Sequence, residues 1–419
     1  MKIAVVVDRF PVLSETFILR QITGLIELGH QVDIFANRRP TEALVHQQVH
    51  DYRLDRRVTY VYDAGAPDVS WTRDAPLALH LGVRRPAALR MLGRERSAPH
   101  GGRRSLLPRL RVLLPRRRYD IVHCHFGNVG LAYRFAAAYW HAPLVVSFHG
   151  FDYSRDPQRY GPRLYEPLFA VADGVIVNSV HARGRLEALG CPRSVLHVLH
   201  YGVDRPTVAP RVHRARGSDE AVRLLTVARL VEKKGVEYAI RAVARVACAG
   251  TSLRYEIIGD GPLRAELETL ARSLGVADCV VFRGAEEQQA VQAAMSEADL
   301  FVLPSVTAAS GDQEGTPNVL MEASSYGVPV VSTYHSGIPE VVLDGRTGCL
   351  VPERDVPTLA ERIAFLAAHP DVRTTMGRAA RRHIEQHFDI HVLNRQLASL
   401  YSELVEQHGV RSDSGLFSS

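Results

Sequence analysis

The sequence predicts two α/β domains, each built on a doubly wound parallel sheet. The chain has 419 residues, more than one hydrophobic core usually holds. Short apolar runs alternate with amphipathic stretches, as expected of strands buried on both faces and their crossover helices. The alternation stops in a polar segment, residues 206–220, and then starts again. This interruption indicates a linker between two domains.

The first strand–helix–strand unit shows the pattern most simply. Lys2–Val7 is an apolar run typical of a buried strand. Ser14 is predicted to cap the next helix, with Glu15 in its first turn and Gly29 at its end. Gln31–Ala36 resumes as a strand. The unit is therefore a βαβ crossover, which is expected to be right-handed.

Similar apolar runs predict the other strands. In the first half they are Asp120–His125, Leu144–Phe148, Gly174–Val177 and Val195–Leu199. In the second half they are Val222–Val227, Tyr255–Ile258, Cys279–Phe282, Asp299–Leu303 and Val328–Ser332.

These elements predict the order of the domains. We expect an N-terminal domain over residues 1–205, the linker over 206–220 and a C-terminal domain over 221–385. A final helix over 386–410 is predicted to pack back across the domains. Ligands of such sheets bind at the carboxyl ends of strands, so the predicted site is an interdomain cleft.

The composition is that of a globular protein. With 46% apolar and 23% charged residues, a largely disordered chain is excluded. The chain turns polar too early for a signal peptide, and no apolar stretch is long enough to span a bilayer. Its five cysteines form no disulfide framework. We therefore expect a cytoplasmic protein.

Arginine is concentrated in one stretch, Arg84–Arg118, of a chain whose net charge is +6. Two interpretations stay open. In the first, the stretch binds a negatively charged partner, which is either anionic lipid headgroups at the inner face of the membrane or a phosphorylated acceptor. In the second, it is a solvated arginine-rich loop. No aromatic platform accompanies the charge, so nucleic acid is not a predicted partner.

Residues 311–323 carry the most informative pattern. Pro317 suits the first position of a helix. The backbone N–H groups between Gly315 and Asn318 would then lie at a helix start, where they can bind an anion.

Two glutamates flank that helix start. Glu314 lies just before it, and Glu322 lies about two turns further on a similar face. One carboxylate can accept hydrogen bonds from sugar hydroxyls and the other from the two hydroxyls of a ribose. The alternative is an acid-capped helix with one buried, paired glutamate.

A basic cluster follows a strand in the same domain. Arg229 can hold a diphosphate through two parallel hydrogen bonds, and Lys234 adds a compact charge. A solvated basic turn is the other interpretation. Gly259 lies in a tight turn after the next strand.

Three histidines lie on or after strands of the first half. His149 follows a strand directly, where it can hydrogen-bond a sugar and stabilise positive charge at the reacting carbon. His123 and His125 alternate along another strand and so face the same side. A zinc site is not favoured, because no carboxylate or cysteine stands at ligand spacing with them.

Together these motifs resemble the donor-binding signature of the retaining GT-B glycosyltransferases of family four. The resemblance covers Arg229 with Lys234-Gly235, Gly259-Asp260-Gly261-Pro262, Glu314-Gly315-Thr316-Pro317-Asn318 with Glu322, Ser336-Gly337-Ile338-Pro339-Glu340 and Tyr201-Gly202-Val203-Asp204. It implies two Rossmann-like domains that face a cleft.

The resemblance also implies roles for single residues. Arg229 and Lys234 would bind the diphosphate of a nucleotide sugar. Glu314 and the backbone from Gly315 to Asn318 would hold the sugar, and Glu322 the ribose. His149 and Glu314 would be the catalytic residues. Arg283, near a strand end, would bracket the base.

A narrower resemblance concerns the acceptor. Phe10–Ile18 with His123–Gly127 is similar to the colanic-acid-type exopolysaccharide glycosyltransferases. It implies that three residues lie on the acceptor side: Ser14, Glu15 and His125. The chain departs from many relatives in Arg9–Thr16, which replaces a glycine-rich loop.

The implied reaction moves a hexosyl or N-acetylhexosaminyl group, from a donor expected to be UDP-linked, with retention and without a metal. The acceptor is expected to be a saccharide or a lipid-linked molecule; a small soluble one, such as an aminocyclitol antibiotic core, is the alternative. A non-catalytic sugar-nucleotide-binding protein is a further alternative. An NAD(P)-dependent oxidoreductase is disfavoured, because no glycine-rich turn follows the first strand.

Overall fold

The structure is a computed structural model, and it describes residues 1–12, 15–40, 46–62, 109–113, 118–204, 206 and 221–414. Two compact units form: one comprises Met1–Leu199 with His391–Ser419, and the other comprises His200–Ile390. Ser14, most of 206–220 and most of Arg84–Arg118 lie outside the described residues. Membrane contact by that arginine-rich stretch therefore stays a prediction.

The first unit contains a seven-stranded parallel sheet with the order β3-β2-β1-β4-β5-β6-β7. Its strands are β1 (Lys2–Arg9), β2 (Gln31–Arg38), β3 (Val58–Tyr60), β4 (Ile121–His125), β5 (Leu144–Phe148), β6 (Gly174–Val177) and β7 (Leu196–Val198). The central strands β4 and β5 are buried along their whole length, as their continuous apolar runs predict.

Helices flank this sheet. They are α1 (Thr16–Glu27), α2 (Gln47–Asp51), α3 (Gly127–Trp140), α4 (Arg155–Tyr160), α5 (Glu166–Phe169) and α6 (Val180–Ala188). Helix α1 begins one residue later than predicted, because Glu15 takes the N-cap position instead of the first turn. Gly29, at φ +83°, closes the same helix as predicted.

The second unit contains a six-stranded parallel sheet with the order β10-β9-β8-β11-β12-β13. Its strands are β8 (Val222–Val227), β9 (Leu253–Ile258), β10 (Val280–Gly284), β11 (Leu300–Leu303), β12 (Val330–Thr333) and β13 (Gly348–Val351). Its helices are α7 (Val236–Cys248), α8 (Arg264–Ser273), α9 (Gln288–Glu297), α10 (Asn318–Ser325), α11 (Ile338–Val341), α12 (Val356–Ala368) and α13 (Pro370–His387).

Helix α14 (Ile390–Ser414) ends the described chain. From His391 onward it belongs to the first unit, where Leu397 and Tyr401 are fully buried. Its Asn394 Nδ2 donates to the Arg20 carbonyl at 3.2 Å. A Cβ at Gly24 would lie 1.7 Å from the same Nδ2, so α1 and α14 approach closely only because residue 24 is glycine.

The two parallel sheets confirm the predicted fold class. Among the described residues, no helix combines the length and the hydropathy that crossing a bilayer requires. The units divide after Leu199 and after Ile390, whereas the predicted domains end at residues 205 and 385.

Candidate active site

The strand order of the second sheet reverses between β8 and β11. In open parallel sheets, ligands bind beyond the carboxyl ends of strands at such a point. The segment after β8 carries Arg229, Lys233 and Lys234, and residues 304–317 follow β11. The two segments are joined by a hydrogen bond from the Val306 N–H to the Lys233 carbonyl at 2.9 Å. This place is therefore the candidate donor site.

Two glycines allow these segments to approach. Gly235, at φ +65°, is the N-cap of α7, and a Cβ there would lie 1.9 Å from the Pro304 carbonyl oxygen. Gly259, at φ +133°, would place a Cβ 1.9 Å from the Ala228 oxygen. Only glycine fits either position, because a Cβ would collide with neighbouring backbone. The two glycines therefore allow backbone segments to pack closely at the site.

Glu314 is the centre of a charged cluster. It is 7% exposed. The Lys234 Nζ lies 2.9 Å from its Oε2, and the Lys233 Nζ lies 3.6 Å from its Oε1. Burial by itself would raise the pKa of Glu314, but the two ammonium groups outweigh burial and hold the pKa at about 2. Glu314 is therefore a carboxylate at neutral pH, paired with a lysine that the sequence assigned to the diphosphate.

The backbone N–H of Glu314 has a partner that no sequence motif indicates. Its N–H donates to His335 Nε2 at 3.1 Å. His335 Nδ1 lies 2.6 Å from Glu353 Oε1. His335 and Glu353 follow two different strands, β12 and β13, so no local motif reveals their contact.

The helix start after Glu314 differs from the prediction by one residue. Helix α10 begins at Asn318, and Pro317 is its N-cap with φ −64° and ψ 115°. The interpretation of Pro317 as the first helical residue is therefore wrong. Pro317 carries no N–H, so the backbone donors near this start come from its neighbours. One of them, Thr316, is 6% exposed, and its hydroxyl has no hydrogen-bond partner among the described residues.

Glu322 lies in the second turn of α10 and is half-buried. Arg229 is exposed, and within the described part of the chain its guanidinium forms no ion pair. Arg283 is instead held by two carboxylates, Glu256 and Glu286, each at 2.8 Å. The structure thus leaves Arg229 available to a ligand and engages Arg283 in ion pairs.

The histidines of the first unit form a buried row. The ring centroids of His123 and His125 are 4.3 Å apart, as expected for residues on one face of β4. His125 Nδ1 lies 3.2 Å from His149 Nε2. Burial lowers the pKa of His125 and of His149 well below the usual value, so both rings are neutral at pH 7.

His123 is held from two sides. Its Nε2 lies 2.7 Å from Ser147 Oγ, and its Nδ1 lies 2.6 Å from the Tyr401 hydroxyl. Burial lowers the pKa of His123 to about 3. Its interactions are those of a packed, hydrogen-bonded core histidine. No group of three His, Cys, Asp or Glu residues in the described part of the chain is arranged to hold a metal ion.

Asp152 holds the backbone of His149. Its carboxylate is fully buried and accepts hydrogen bonds from three N–H groups, those of Gly150 (2.8 Å), His149 (3.0 Å) and Gly127 (3.2 Å). Burial raises the pKa of Asp152 to about 6, although the three donors oppose that rise. An aspartate shortly after a glycine in a turn is the signal that could have identified it.

Aromatic rings surround His149. Phe17 lies 4.7 Å and Phe126 lies 4.5 Å from it, centroid to centroid. Phe17 is in the first turn of α1, directly after the Thr16 that follows Glu15. The structure therefore brings the start of α1, predicted to face the acceptor, next to His149.

Two family models match this chain, one in the N-terminal half and one in the C-terminal half. Residues 14–205 match the model "Glycosyltransferase Family 4", and residues 221–369 match "Glycosyl transferases group 1". The chain is 35% identical over 408 residues to the putative colanic acid biosynthesis glycosyltransferase WcaL of Escherichia coli (strain K12), covering 96% of this chain and 100% of that protein. It is 34% identical over 413 residues to the amylovoran biosynthesis glycosyltransferase AmsK of Erwinia amylovora, covering 96% and 100%.

A solved structure shows the same architecture. Anabaena Alr3699/HepE in complex with UDP matches 96% of this chain and 100% of its own, with a TM-score of 0.69 and 19% identity. At that identity the likeness concerns the fold alone, and it confirms the two Rossmann-like domains.

Proposed function

The chain belongs to the glycosyltransferases of family 4, and we propose that it moves a hexosyl or N-acetylhexosaminyl group from a nucleotide sugar to a saccharide or lipid-linked acceptor, with retention of anomeric configuration. The proposed donor is UDP-linked, in keeping with the UDP held by a protein of the same fold. The colanic acid and amylovoran biosynthesis enzymes support a saccharide acceptor of the exopolysaccharide type.

The observation that carries the proposal is the cluster at the switch point of the second sheet. Lys233 and Lys234 converge on the buried Glu314, and Arg229 extends from the same segment into solvent. Arg229 and Lys234 are the proposed ligands of the donor diphosphate. They stabilise the negative charge that develops as the nucleotide departs, which is electrostatic catalysis that does not itself require a metal ion.

Glu314 is proposed to act on the sugar. As an ionised carboxylate it accepts hydrogen bonds from sugar hydroxyls and stabilises the positive charge of an oxocarbenium-like transition state. The backbone of Gly315, Thr316 and Asn318 assists it at the start of α10. Glu322 is proposed to accept the two ribose hydroxyls.

The first unit is proposed to supply the acceptor side. His149 is the candidate for the reaction centre, and its neutral ring can exchange hydrogen bonds with a hydroxyl. His125 fixes that ring through the 3.2 Å hydrogen bond. The acceptor oxygen bonds to the anomeric carbon on the face from which the nucleotide leaves, as the bond from that carbon to the diphosphate oxygen breaks. The departing diphosphate takes the hydroxyl proton, and the anomeric configuration is retained.

Nucleotide binding tests the donor assignment. At a UDP concentration 100-fold above Kd, bound ligand stabilises a protein by about 2.7 kcal/mol, which corresponds to a melting-temperature rise of roughly 5–10 °C. We expect this rise with UDP but not with GDP or ADP, and we expect Glu322→Ala to abolish it. Glu361→Ala, at an exposed position of α12, is the matched control and should keep the shift.

The outcomes separate the alternatives. A shift with GDP instead would replace the proposed base. A shift that survives in Glu322→Ala would reject the ribose assignment. No shift with any nucleotide would reject the proposed donor site.

Retention is tested by the anomer that is released. Even slow hydrolysis of a UDP-α-sugar should give the α-anomer first, since water takes the place of the acceptor on the same face. Proton NMR recorded before mutarotation distinguishes the two anomers. A β-anomer as the first product would refute the retaining mechanism.

A further inference from the structure

Residues 304–317, between β11 and α10, have no regular secondary structure, and Glu314 lies near their end. We call this segment the donor loop. Irregular loops of such length are commonly functional and need contacts from outside to hold them. Whatever fixes the donor loop therefore fixes the place of the Glu314 carboxylate.

His335 holds the backbone of this loop. It follows β12 and is 1% exposed. A backbone amide can only donate, so the Nε2 that receives the Glu314 N–H at 3.1 Å is unprotonated. The proton of the neutral ring is then on Nδ1, and it is donated to Glu353 Oε1 at 2.6 Å. The two neighbours thus select one tautomer of His335.

Glu353 connects His335 to a second point of the loop. Its Oε2 accepts the Thr307 N–H at 2.8 Å, and its Oε1 lies 3.3 Å from the Thr307 hydroxyl. Burial would raise the pKa of Glu353, but hydrogen bonds from His335 and Thr307 hold the pKa below its usual value. The carboxylate is therefore ionised and binds one end of the donor loop directly and the other through the imidazole.

The lysines hold a different part of the same residue. Lys234 contacts the carboxylate of Glu314, whereas His335 contacts its backbone N–H. The lysine contact fixes the tip of the side chain, whereas the His335 contact fixes the peptide plane from which the side chain starts. The neighbouring carbonyls are held separately, that of Gln313 by the Lys233 Nζ and that of Gly315 by the Gly337 N–H, each at 3.3 Å. Among the described residues, the acceptor of the Glu314 N–H itself is His335.

From these contacts we propose that His335 and Glu353 are positioning residues for the donor sugar. They hold the donor loop in the conformation that presents Glu314 and the N–H groups after it. The proposal rests on the proposed function of Glu314 in binding the sugar. Neither residue is proposed to touch the substrate.

Two substitutions of His335 separate its two hydrogen bonds. His335→Gln places an amide oxygen where Nε2 accepts, so the Glu314 N–H keeps its acceptor. His335→Asn places an amide N–H where Nδ1 donates to Glu353, but it leaves the Glu314 N–H without an acceptor. Both remove the ring, so the difference between them reports on the bond to Glu314.

The test is hydrogen–deuterium exchange of the Glu314 amide without any substrate, followed by mass spectrometry of peptides across the donor loop. His335→Asn is expected to accelerate this exchange by tenfold or more, and His335→Gln by less than threefold. Donor kinetics follow the same order: in His335→Asn the donor KM rises about tenfold and kcat changes less, because bound donor can reorder the loop.

Equal exchange in the two variants, or unchanged exchange in His335→Asn, would overturn the proposal. Should His335→Asn not fold, Glu353→Ala replaces it, since Glu353 keeps 24% of its side chain exposed and its removal frees the imidazole. This variant should also accelerate exchange at Thr307 and Glu314, and unchanged exchange at both would overturn the proposal. A wild-type protein that uses no nucleotide sugar would refute the proposed function, while the exchange measurement still decides the role of His335.

Discussion

Replacing Glu314 by glutamine is expected to lower kcat by about 10²- to 10³-fold, the size of effect seen when one preorganised group that stabilises transition-state charge is removed. Glutamine keeps the shape of the side chain and an oxygen for the Lys234 Nζ, but it has no charge to set against an oxocarbenium-like sugar. The measurement is steady-state kinetics with saturating donor. A variant that keeps more than a tenth of the wild-type kcat would contradict the role of Glu314.

The same substitution should change the acid stability of the protein. The folded pKa of Glu314 is about 2, below the 4.5 of an unperturbed glutamate, because Lys234 and Lys233 outweigh the effect of burial. A lowered folded pKa stabilises the protein above the unfolded pKa, here by about 3 kcal/mol, and the contribution is lost as pH falls from about 4.5 through 2. Denaturant unfolding between pH 7 and pH 2 should show a loss of unfolding free energy in the wild type that exceeds the loss in Glu314→Gln by about 3 kcal/mol.

An exposed ion pair provides the control. Glu297 pairs with Arg223 in the same unit, and 64% of its side chain is exposed. Exposed pairs contribute little, so Glu297→Gln should change the unfolding free energy by less than about 1 kcal/mol. It should also leave kcat unchanged. An equal loss in both variants would mean that the measured effect is unrelated to the buried cluster.

Replacing Asp152 by asparagine is expected to lower the free energy of unfolding by about 3 kcal/mol or more at neutral pH, because a buried donor without an acceptor costs about 1–3 kcal/mol. Both carboxylate oxygens of Asp152 accept N–H groups, from Gly127, His149 and Gly150. Asparagine offers one acceptor oxygen, and its NH₂ group would face an N–H. The backbone of His149 must then move, so kcat should fall as well.

Asp120 is the matched control for this prediction. Its Oδ2 accepts one backbone bond, from the Lys2 N–H at 2.7 Å, at an exposed position of the same unit. Water can replace that bond, so Asp120→Asn should destabilise the protein by less than about 1 kcal/mol. Urea unfolding of both variants gives the comparison. Similar stability of Asp152→Asn and the wild type would show that the three N–H groups find other partners.

The strands with long apolar runs could be predicted from the sequence. Leu144–Phe148 and Gly174–Val177 have the predicted bounds, because both are buried throughout. Two edge strands were missed, Val58–Tyr60 and Gly348–Val351. The first is only partly buried and the second begins with glycine, so neither gives a recognisable apolar run.

The candidate site was predictable where its chemistry is local. The motif around Glu314 and the motif around Lys234 each indicate, by themselves, a segment that binds an anion or a sugar. The ion pair between these two residues joins positions 80 residues apart, and no local pattern contains it. The same limit applies to His335 and Glu353, which meet because β12 and β13 are neighbours in the sheet.

The return of α14 to the first unit determines the order in which the two units can be completed during synthesis. A chain emerging from the ribosome delivers residues 1–199 early, but the helix that covers part of their core is translated only after the whole second unit. The usual sequence, in which the N-terminal domain finishes folding first, is therefore reversed here. Until Leu397 and Tyr401 arrive, the nascent first unit keeps apolar surface exposed that a chaperone can bind.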